Sequence, residues 1–415
     1  MSLGTMANII IDGSVLEGGG QILRNSVSLS ALLSKPVKIV KIRNSRKPPG
    51  LRNQHRTGLE LAANIASARL NGAKNGSLEI EFVPSRINLP NHFTADSITA
   101  GSITLLLQVA LPLLLFSPAK APASTLTLLG GTNATLAPQV DYTKHVFLPF
   151  IQRHFGIENI SLDVKKRGYF PKGGGEVHLS VTPFWGAEQK LRSFNLLERG
   201  KVKWISGIAH YAGLPTAVGK GMVAGATQRL AEAGFGTHAS DQTNVQKTTF
   251  VTSSETSDVL VSILANREPN SLTKGAGSGI VLWAELEGGG MIGGDAVGTK
   301  GLSPEQVGRQ AADELIKGLQ EGGCVDEVLI FFFFPSTMVK HIWLQDQIII
   351  FMALAEGKSE VRCGTSGLSL HTRTAIWLAE QLTDAKFEVE EEASGHSVIR
   401  CQGIGYTAPA LPEQI

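Results

Sequence analysis

The chain has 415 residues, a length that predicts two or three domains. Hydrophobic residues make up 42% and charged residues 18%, which favours a large core and excludes wholesale disorder. The formal net charge of +2 does not by itself indicate a nucleic-acid partner. Any basic surface that binds nucleic acid must therefore be confined to one part of the protein.

Cysteine usage and hydropathy limit the cellular compartments in which we expect the protein. The three cysteines, Cys324, Cys363 and Cys401, are scattered without metal-ligand spacing, which argues against a disulfide framework or zinc site and for a reducing compartment. The N-terminus lacks a charged leader followed by an apolar core, so we expect no secretion. The apolar run 103–116 is shorter than the ~20 residues of a membrane span and predicts a buried helix, with no membrane partner.

One pattern of strand, helix, strand, helix and strand recurs along the chain, which is the primary guide to architecture. The first copy has predicted elements at 8–13, 22–33, 37–42, 51–70 and 77–83. The second copy has predicted elements at 103–116, 125–129, 141–155 and 160–164, and the third at 344–355, 359–363, 371–382 and 387–391. Three such units packed on their helical faces predict one large α/β (α+β) domain.

The stretch between the second and third copies has a different order of elements. It contains predicted strands at 202–210, 260–265 and 279–286 and predicted helices at 221–233 and 304–318. We therefore expect a smaller α/β domain, residues 185–326, inserted into a large domain formed by residues 1–184 and 327–415.

A histidine near the C-terminus is the candidate nucleophile. His371 lies at the start of an amphipathic helix, just after a turn rich in Gly, Ser and Thr at 364–367. A neutral imidazole is a good nucleophile, and helix N–H groups suit a phosphate. The hypothesis is that His371 attacks the α-phosphate of a nucleotide; the alternative is an ordinary cap or surface residue.

Two further patches suit phosphates. Glu17 precedes three glycines at a helix start, which favours a Mg²⁺-nucleotide site with the carboxylate as metal ligand, or else a plain turn. The loop 43–50 with its neighbour Arg52 concentrates arginines, whose forked guanidinium groups suit an RNA terminal phosphate. The alternative for that loop is a solvated basic surface.

Two other stretches are unusual. Trp343 and Asp346 place an aromatic face near a carboxylate, which can stack on and read a purine, or form an ordinary buried tryptophan. The run 167–177, Arg-Gly-Tyr-Phe-Pro-Lys-Gly-Gly-Gly-Glu-Val, has three consecutive glycines that allow tight passage of the backbone.

These motifs together resemble a known family. The run Arg167–Gly175 is similar to the signature of the RNA 3′-terminal phosphate cyclases, and further matches occur in the same order at 17–24, 47–55 and 344–347. The resemblance covers nearly the whole chain. It implies three βαβαββ-like repeats in one large domain, with a small α/β domain inserted before the third.

The resemblance also implies the reaction. ATP would adenylate an active-site histidine, and the AMP would pass to an RNA 3′-phosphate. The ribose 2′-OH would then attack that phosphorus, closing a 2′,3′-cyclic phosphate and releasing AMP. The implied cofactors are ATP and Mg²⁺ or Mn²⁺, the implied partners are RNA 3′-phosphate ends, and the oligomeric state is left open.

By position in the motifs, His371 corresponds to the adenylated histidine and Glu17 to the metal ligand. The residues implied to hold ATP are Arg24, Gln54, Gln108, Pro138, Trp343, Asp346 and Gln347. The residues implied to hold the substrate phosphate are Arg43, Arg46 and Arg52. Trp343 replaces the tyrosine usual in the family, a change that retains stacking and loses a hydroxyl.

Residues 328–342 depart from the family pattern, in which Asp326-Glu327 should run directly into Trp343. We interpret this segment as a retained intron in the gene model, which suggests a eukaryotic source. A nuclear (nucleoplasmic) location would follow, or a cytoplasmic one otherwise. Sequencing the transcript decides whether the segment is real.

Two alternative functions stand beside the cyclase. One is the catalytically inactive cyclase-like protein of ribosome biogenesis, which looks unlike the cyclases at the histidine position that His371 occupies here. The other is an enolpyruvyl transferase, a class built from similar repeats with phosphate-binding arginines and no covalent AMP.

Overall fold

The computed structural model describes residues 8–134, 136–236, 259–326 and 343–410. Helices and several mixed sheets alternate along the chain, which confirms the predicted α/β (α+β) class. Within those residues, no helix combines the length and the apolar character that crossing a bilayer would require. The three cysteines are buried and free.

The first sheet has the strand order β1-β2-β4-β3, with β1 parallel to β2 and the other pairs antiparallel. Its strands are β1 (Ile9–Asp12), β2 (Val37–Val40), β3 (Arg69–Asn71) and β4 (Ile80–Val83). Its helices are α1 (Gly20–Leu33) and α2 (Asn53–Ile65), each of which buries one apolar face.

The second sheet has the order β5-β7-β9-β8, again with one parallel pair followed by antiparallel pairs. Its strands are β5 (His92–Asp96), β7 (Ser124–Gly130), β8 (Ile160–Lys166) and β9 (Gly175–Val181). Its helices are α3 (Ile103–Leu114) and a continuous run of α4 (Val140–Tyr142), a π-helical turn (Thr143–Phe147) and α5 (Leu148–Phe155). Two short strands, β6 (Phe116–Ser117) and β10 (Phe184–Trp185), pair beside it.

The third sheet has the order β11-β16-β18-β17 and the same strand directions as the first two. Its strands are β11 (Asn195–Leu196), β16 (Glu356–Arg362), β17 (Lys386–Glu391) and β18 (Ser397–Ile404). Its helices are α8 (Leu344–Leu354) and α9 (Leu370–Leu382). We propose that the three sheets, each with its helices, are the three repeated units that the sequence predicts.

A fourth sheet, in the order β13-β12-β14-β15, contributes to a second hydrophobic core that is separate from the first. Its strands are β12 (Val202–Ala212), β13 (Leu260–Arg267), β14 (Gly277–Leu286) and β15 (Met291–Val297), and a short 3₁₀ turn (Asn270–Leu272) precedes β14. The helices α6 (Thr216–Glu232) and α7 (Pro304–Gln320) approach closely because Gly225 and Gly308 each face backbone atoms of the partner helix. The predicted domain boundaries remain a prediction; β11 lies inside the range 185–326 yet pairs with β16.

Sequence patterns misplaced some elements. The helix predicted over 51–70 ends at Ile65, and residues 69–71 form an edge strand instead. The sequence prediction had no counterpart for eight strands, which are β3, β5, β6, β9, β10, β11, β15 and β18. Each is defined by its pairing with another strand, an interaction that a local sequence pattern does not contain.

A buried carboxylate joins the two sides of the segment interpreted as an insertion; that segment itself lies outside the described residues. Asp326 accepts hydrogen bonds from the Tyr142 hydroxyl at 2.5 Å, the Gly293 N–H at 2.8 Å and the Leu344 N–H at 2.9 Å. If residues 328–342 were removed, Leu344 would stand three positions after Asp326. An aspartate that accepts from the N–H three residues on is a helix N-cap.

This geometry predicts that a chain lacking 328–342 folds, with a melting temperature no lower than that of the full chain. Asp326 would then cap α8 directly, and the entropy cost of closing the longer connection would disappear. The measurement is thermal unfolding of both chains. Adding Asp326→Ala to the shortened chain should lower its melting temperature, because three buried hydrogen bonds are lost. A shortened chain that melts well below the full one would show that the segment is integral to the fold.

Candidate active site

The N-terminus of α9 carries the candidate nucleophile. The Ser369 hydroxyl caps the helix by accepting the Thr372 N–H at 3.1 Å. The Thr372 hydroxyl donates in turn to Gln345 Oε1 at 2.6 Å, which joins α9 to the buried helix α8. His371 therefore projects from a helix end that is fixed at two points.

A buried glutamine holds the imidazole. Gln21, at the start of α1 and 4% exposed, places its Oε1 2.8 Å from His371 Nδ1. Its Nε2 donates to Asp346 Oδ2 at 2.9 Å. A carbonyl oxygen can only accept, so Nδ1 carries the proton and the ring's lone pair is on Nε2.

The surroundings keep this ring neutral. Burial, assisted by the positive charges of Arg24 and Arg46, lowers the pKa of His371 to about 4. At neutral pH the imidazole is therefore an uncharged base, the state that a nucleophile needs.

Arg24 lies between two carboxylates. Burial lowers the pKa of this guanidinium, while Glu17 and Asp346 act in the opposite direction. Burial also raises the pKa of Asp346 to about 7, against the effect of Arg24. Arg24 Nε and Asp346 Oδ1 are buried atoms without a hydrogen-bond partner among the described residues. Unpaired buried polar atoms of this kind are costly unless a ligand satisfies them.

The loop before α1 brings Glu17 to the same place. Its backbone N–H lies 3.2 Å from the Thr374 hydroxyl on α9, and its Oε1 accepts from Arg46 Nη2 at 3.1 Å. The side chain is 9% exposed, and within the described part of the chain its Oε2 has no partner. Gly20 is required here because a Cβ would press against His55 and Arg24.

The basic loop closes on itself. The Gly50 N–H donates to the Ile42 carbonyl at 3.0 Å and the Arg46 N–H to the Arg43 carbonyl at 3.0 Å. Arg43 adopts a left-handed backbone with φ of 51°, a strained conformation for an arginine that often marks a functional site. Burial and the charges of Arg46 and Arg52 lower the pKa of Arg43, whose Nε has no partner among the described residues. The mutual repulsion of these arginines suits them to an anionic ligand.

His55, which the sequence suggested only as part of a motif, lies beside this cluster. Its Nδ1 accepts the Arg52 N–H at 3.2 Å at the start of α2. Burial and the charges of Arg43, Arg24 and Arg52 lower its pKa to about 3, so the ring is neutral.

The other predicted ATP residues are more spread out. Gln54 Oε1 accepts the Ser102 N–H at 2.9 Å at the N-terminus of α3. Gln108 is half-buried further along α3, on the same helix as Leu105 and Val109, which line a small cavity with Arg24, Gln54 and His55. Pro138 is buried behind α3, and its carbonyl accepts from the Thr104 hydroxyl at 2.9 Å. Through that hydrogen bond, Pro138 is connected to the site only indirectly.

Trp343 and Gln347 belong to the first turn of α8. Trp343 is 8% exposed, and its carbonyl accepts from Gln347 Nε2 at 2.6 Å. The predicted stacking of a purine on Trp343 would use only the small exposed part of the ring, and it remains a prediction.

The structure thus brings together Glu17, Arg24, Arg46, Asp346 and His371, from opposite ends of the chain. Sequence reasoning gave no role to Gln21 or Thr374, which connect these groups. Gln21 did carry a signal, because an uncharged polar residue stands directly before Ile22 and Leu23, the first apolar residues of the predicted helix.

Comparison with known proteins supplies the family. A family model described as RNA 3′-terminal phosphate cyclase matches residues 15–389. A protein named RNA 3′-terminal phosphate cyclase from Pyrobaculum neutrophilum is 36% identical over 396 residues, 95% of this chain and 99% of that protein. Proteins of the same name from Drosophila melanogaster and Thermococcus kodakarensis are also 36% identical, over 95% and 94% of this chain and 96% and 97% of their own lengths. The resemblance read from the motifs is confirmed: this chain belongs to the RNA 3′-terminal phosphate cyclase family.

Proposed function

We propose that this protein converts an RNA 3′-terminal phosphate to a 2′,3′-cyclic phosphodiester, at the expense of ATP, through a covalent His371–AMP intermediate. Membership of the family makes the chain an RNA-processing enzyme of the ligase class that uses ATP. The observation that carries the finer proposal is the hydrogen bond from His371 Nδ1 to the buried Gln21, which orients a neutral imidazole among arginines.

The proposed reaction has three steps. In the first, His371 Nε2 attacks the α-phosphorus of ATP, an N–P bond forms and pyrophosphate leaves. In the second, an oxygen of the RNA 3′-phosphate attacks the same phosphorus and the N–P bond breaks. In the third, the ribose 2′-OH attacks the RNA phosphorus, loses its proton and displaces AMP.

The chain's own residues have distinct parts in this scheme. Gln21 fixes the tautomer of His371, and Arg24 and Arg46 offset negative charge that develops on the attacked phosphorus. We propose that Arg43, whose backbone is strained, receives the RNA phosphate together with Arg46 and Arg52. Gln54, Gln108, Pro138, Trp343, Asp346 and Gln347 remain proposed contacts to ATP.

The carboxylate of Glu17 is suited to bind a divalent cation. This group is largely buried, one oxygen is held by Arg46, and Oε2 has no partner within the described ranges. Oxygen donors of this kind suit Mg²⁺ or Mn²⁺. A cation bound there would neutralise charge on the triphosphate and the leaving pyrophosphate.

The alternative considered from the sequence was the inactive ribosome-biogenesis protein. The presence of His371 and its contact with Gln21 favour the enzyme over that alternative. A nuclear location is likewise still a prediction.

The first prediction concerns the covalent step. Incubation with α-labelled ATP and Mg²⁺ should label the protein through an acid-labile phosphoramidate bond. His371→Ala should abolish labelling, whereas His396→Ala, which alters a half-buried histidine next to β18, should leave it unchanged. Labelling that survives in His371→Ala would assign the bond to another residue.

The second prediction concerns pH. A pKa of about 4 keeps His371 neutral throughout pH 5.5–7.5, so its protonation should not limit self-adenylation in that range. Arg46→Ala should raise the pKa of His371 because one positive charge is lost, while burial still holds it below 6.5. NMR titration of the histidine ring in both proteins measures this shift.

Lys47→Ala is the matched control, since Lys47 is the exposed neighbour of Arg46 and has no part in lowering the pKa of His371. Equal titration of His371 in all three proteins would contradict the electrostatic account. The same depressed pKa means that His371 lowers the free energy of unfolding as pH falls from about 6.5 towards 4, because the unfolded chain takes up the proton first.

The third prediction concerns the metal. Glu17→Ala should raise the Mg²⁺ concentration needed for half-maximal labelling about tenfold or more, and excess metal should restore part of the activity. Binding of Mn²⁺ to the protein with ATP, followed by electron paramagnetic resonance, gives an independent readout. Glu60→Ala, which removes an exposed carboxylate paired with Arg56, should change neither. Metal dependence identical to wild type in Glu17→Ala would reject the ligand role.

A further inference from the structure

Among the described residues, the signature run 167–177 makes none of the hydrogen bonds around His371, and its geometry shows a different role. Arg167 is 5% exposed and bonds to Asp141, at 2.9 Å from Nη2, and to Glu268 at 2.8 Å from Nε. Tyr169, also buried, bonds through its hydroxyl to His210 Nδ1 at 2.9 Å. His210 belongs to β12 of the fourth sheet, and Glu268 directly follows β13 of the same sheet. Arg167 and Tyr169 therefore hold the run between the fourth sheet and the second.

An exposed turn comes directly after Tyr169. The Gly173 N–H donates to the Tyr169 carbonyl at 2.8 Å, so residues 170–172 form the tip. Phe170 is 72% exposed, and its neighbours Pro171 and Lys172 are exposed too. A phenylalanine this exposed gains little from folding, so its ring is available to a ligand.

The turn forms one wall of a groove whose other wall comes from the loop before β14. Lys172 packs its stem over Gly275, and Lys274 packs over Gly174, where a Cβ would collide with it. Both lysines line a cavity of about 470 Å³. Neither lysine has an ion-pair partner among the described residues, whereas the third lysine of the groove, Lys166, is paired with Glu176 at 2.6 Å.

The groove is connected to the candidate active site by one short segment. On one side of this segment, the Ser102 N–H is bound by Gln54 Oε1 at 2.9 Å. On the other side, a Cβ on Gly173 would lie 3.0 Å from Ala100 Cα. Thr99 itself lines the groove. Residues 99–102 thus touch both the predicted ATP residue Gln54 and the glycine turn.

We propose that this groove binds the single-stranded RNA that precedes the 3′-terminal phosphate, with a base stacked on Phe170 and backbone phosphates at Lys172 and Lys274. This inference rests on the proposed function, because the RNA end must lie at the arginine loop for the strand to continue past residues 99–102. An exposed aromatic ring beside unpaired cations is the combination that binds single strands without reading their sequence.

The test is direct binding without ATP. The probes are a fluorescein-labelled ten-nucleotide RNA and a labelled dinucleotide, both with a 3′-phosphate, followed by fluorescence anisotropy. Phe170→Ala should weaken binding of the ten-nucleotide RNA about fivefold or more, and Phe170→Trp should preserve it. The Lys172→Ala/Lys274→Ala double variant should reduce the salt slope of log Kd by about 1.4. Dinucleotide binding and self-adenylation should not change in any variant.

Lys317→Ala is the matched control, since Lys317 is exposed near the C-terminal end of α7, away from the loop that carries Lys274. Phe170→Leu keeps the tip apolar and should bind as weakly as Phe170→Ala if stacking is the cause. Binding of the longer RNA that matches the Lys317→Ala control in every groove variant would overturn the proposal, as would equal loss for both probes. A wild-type protein that ATP does not label would overturn the His371–AMP mechanism alone, since anisotropy measures the groove independently.

Discussion

The hydrogen bond between Gln21 and His371 is the contact on which the candidate site depends. It joins side chains 350 positions apart in the sequence, and it determines which ring nitrogen carries the proton. The same amide reaches Asp346, so one buried side chain of α1 contacts both α8 and α9. Substituting Gln21 would keep His371 on the same helix, but the tautomer and the ring orientation of its imidazole would no longer be fixed.

Electrostatics then decides what the site can accept. Four arginines, at 24, 43, 46 and 52, share two carboxylates, Glu17 and Asp346, and burial weakens the hydration of Arg24 and Arg43. Such an arrangement is costly in the absence of an anion and favourable in its presence. The protein's small net charge conceals this concentration, because residues 43–56 contain five lysines and arginines and no acidic residue.

Much of the fold follows from local patterns. The apolar patterns of residues 22–33, 103–116 and 371–382 predicted α1, α3 and α9 close to their observed bounds. By contrast, the helix predicted through Leu70 ended early because residues 69–71 pair with β4, an interaction between distant residues. Among site residues, the histidine, glutamate and arginines could be proposed from residue chemistry and motif resemblance. The role of Gln21 could not, because it depends on how two ends of the chain meet.

The signature run illustrates the same distinction. Its glycines indicated tight backbone passage, and Gly168 does lie where a Cβ would collide with the Gly130 carbonyl. The two aromatic residues that follow Gly168 differ only in where the fold places them. Tyr169 points into a buried hydrogen-bond network, whereas Phe170 points outward. Adjacent aromatic residues of similar size thus occupy a buried and an exposed environment respectively, which composition could not distinguish.

The site is assembled from residues 17–55 and 343–374, at the two ends of the chain. During synthesis on the ribosome, the glutamate and arginine loops emerge hundreds of residues before the nucleophile. A nascent or prematurely terminated chain that stops before Leu370 therefore holds most of the anion-binding groups and lacks the atom that would form the covalent bond. Under the proposed mechanism, only a polypeptide that extends past residue 371 could form the covalent bond to the nucleotide.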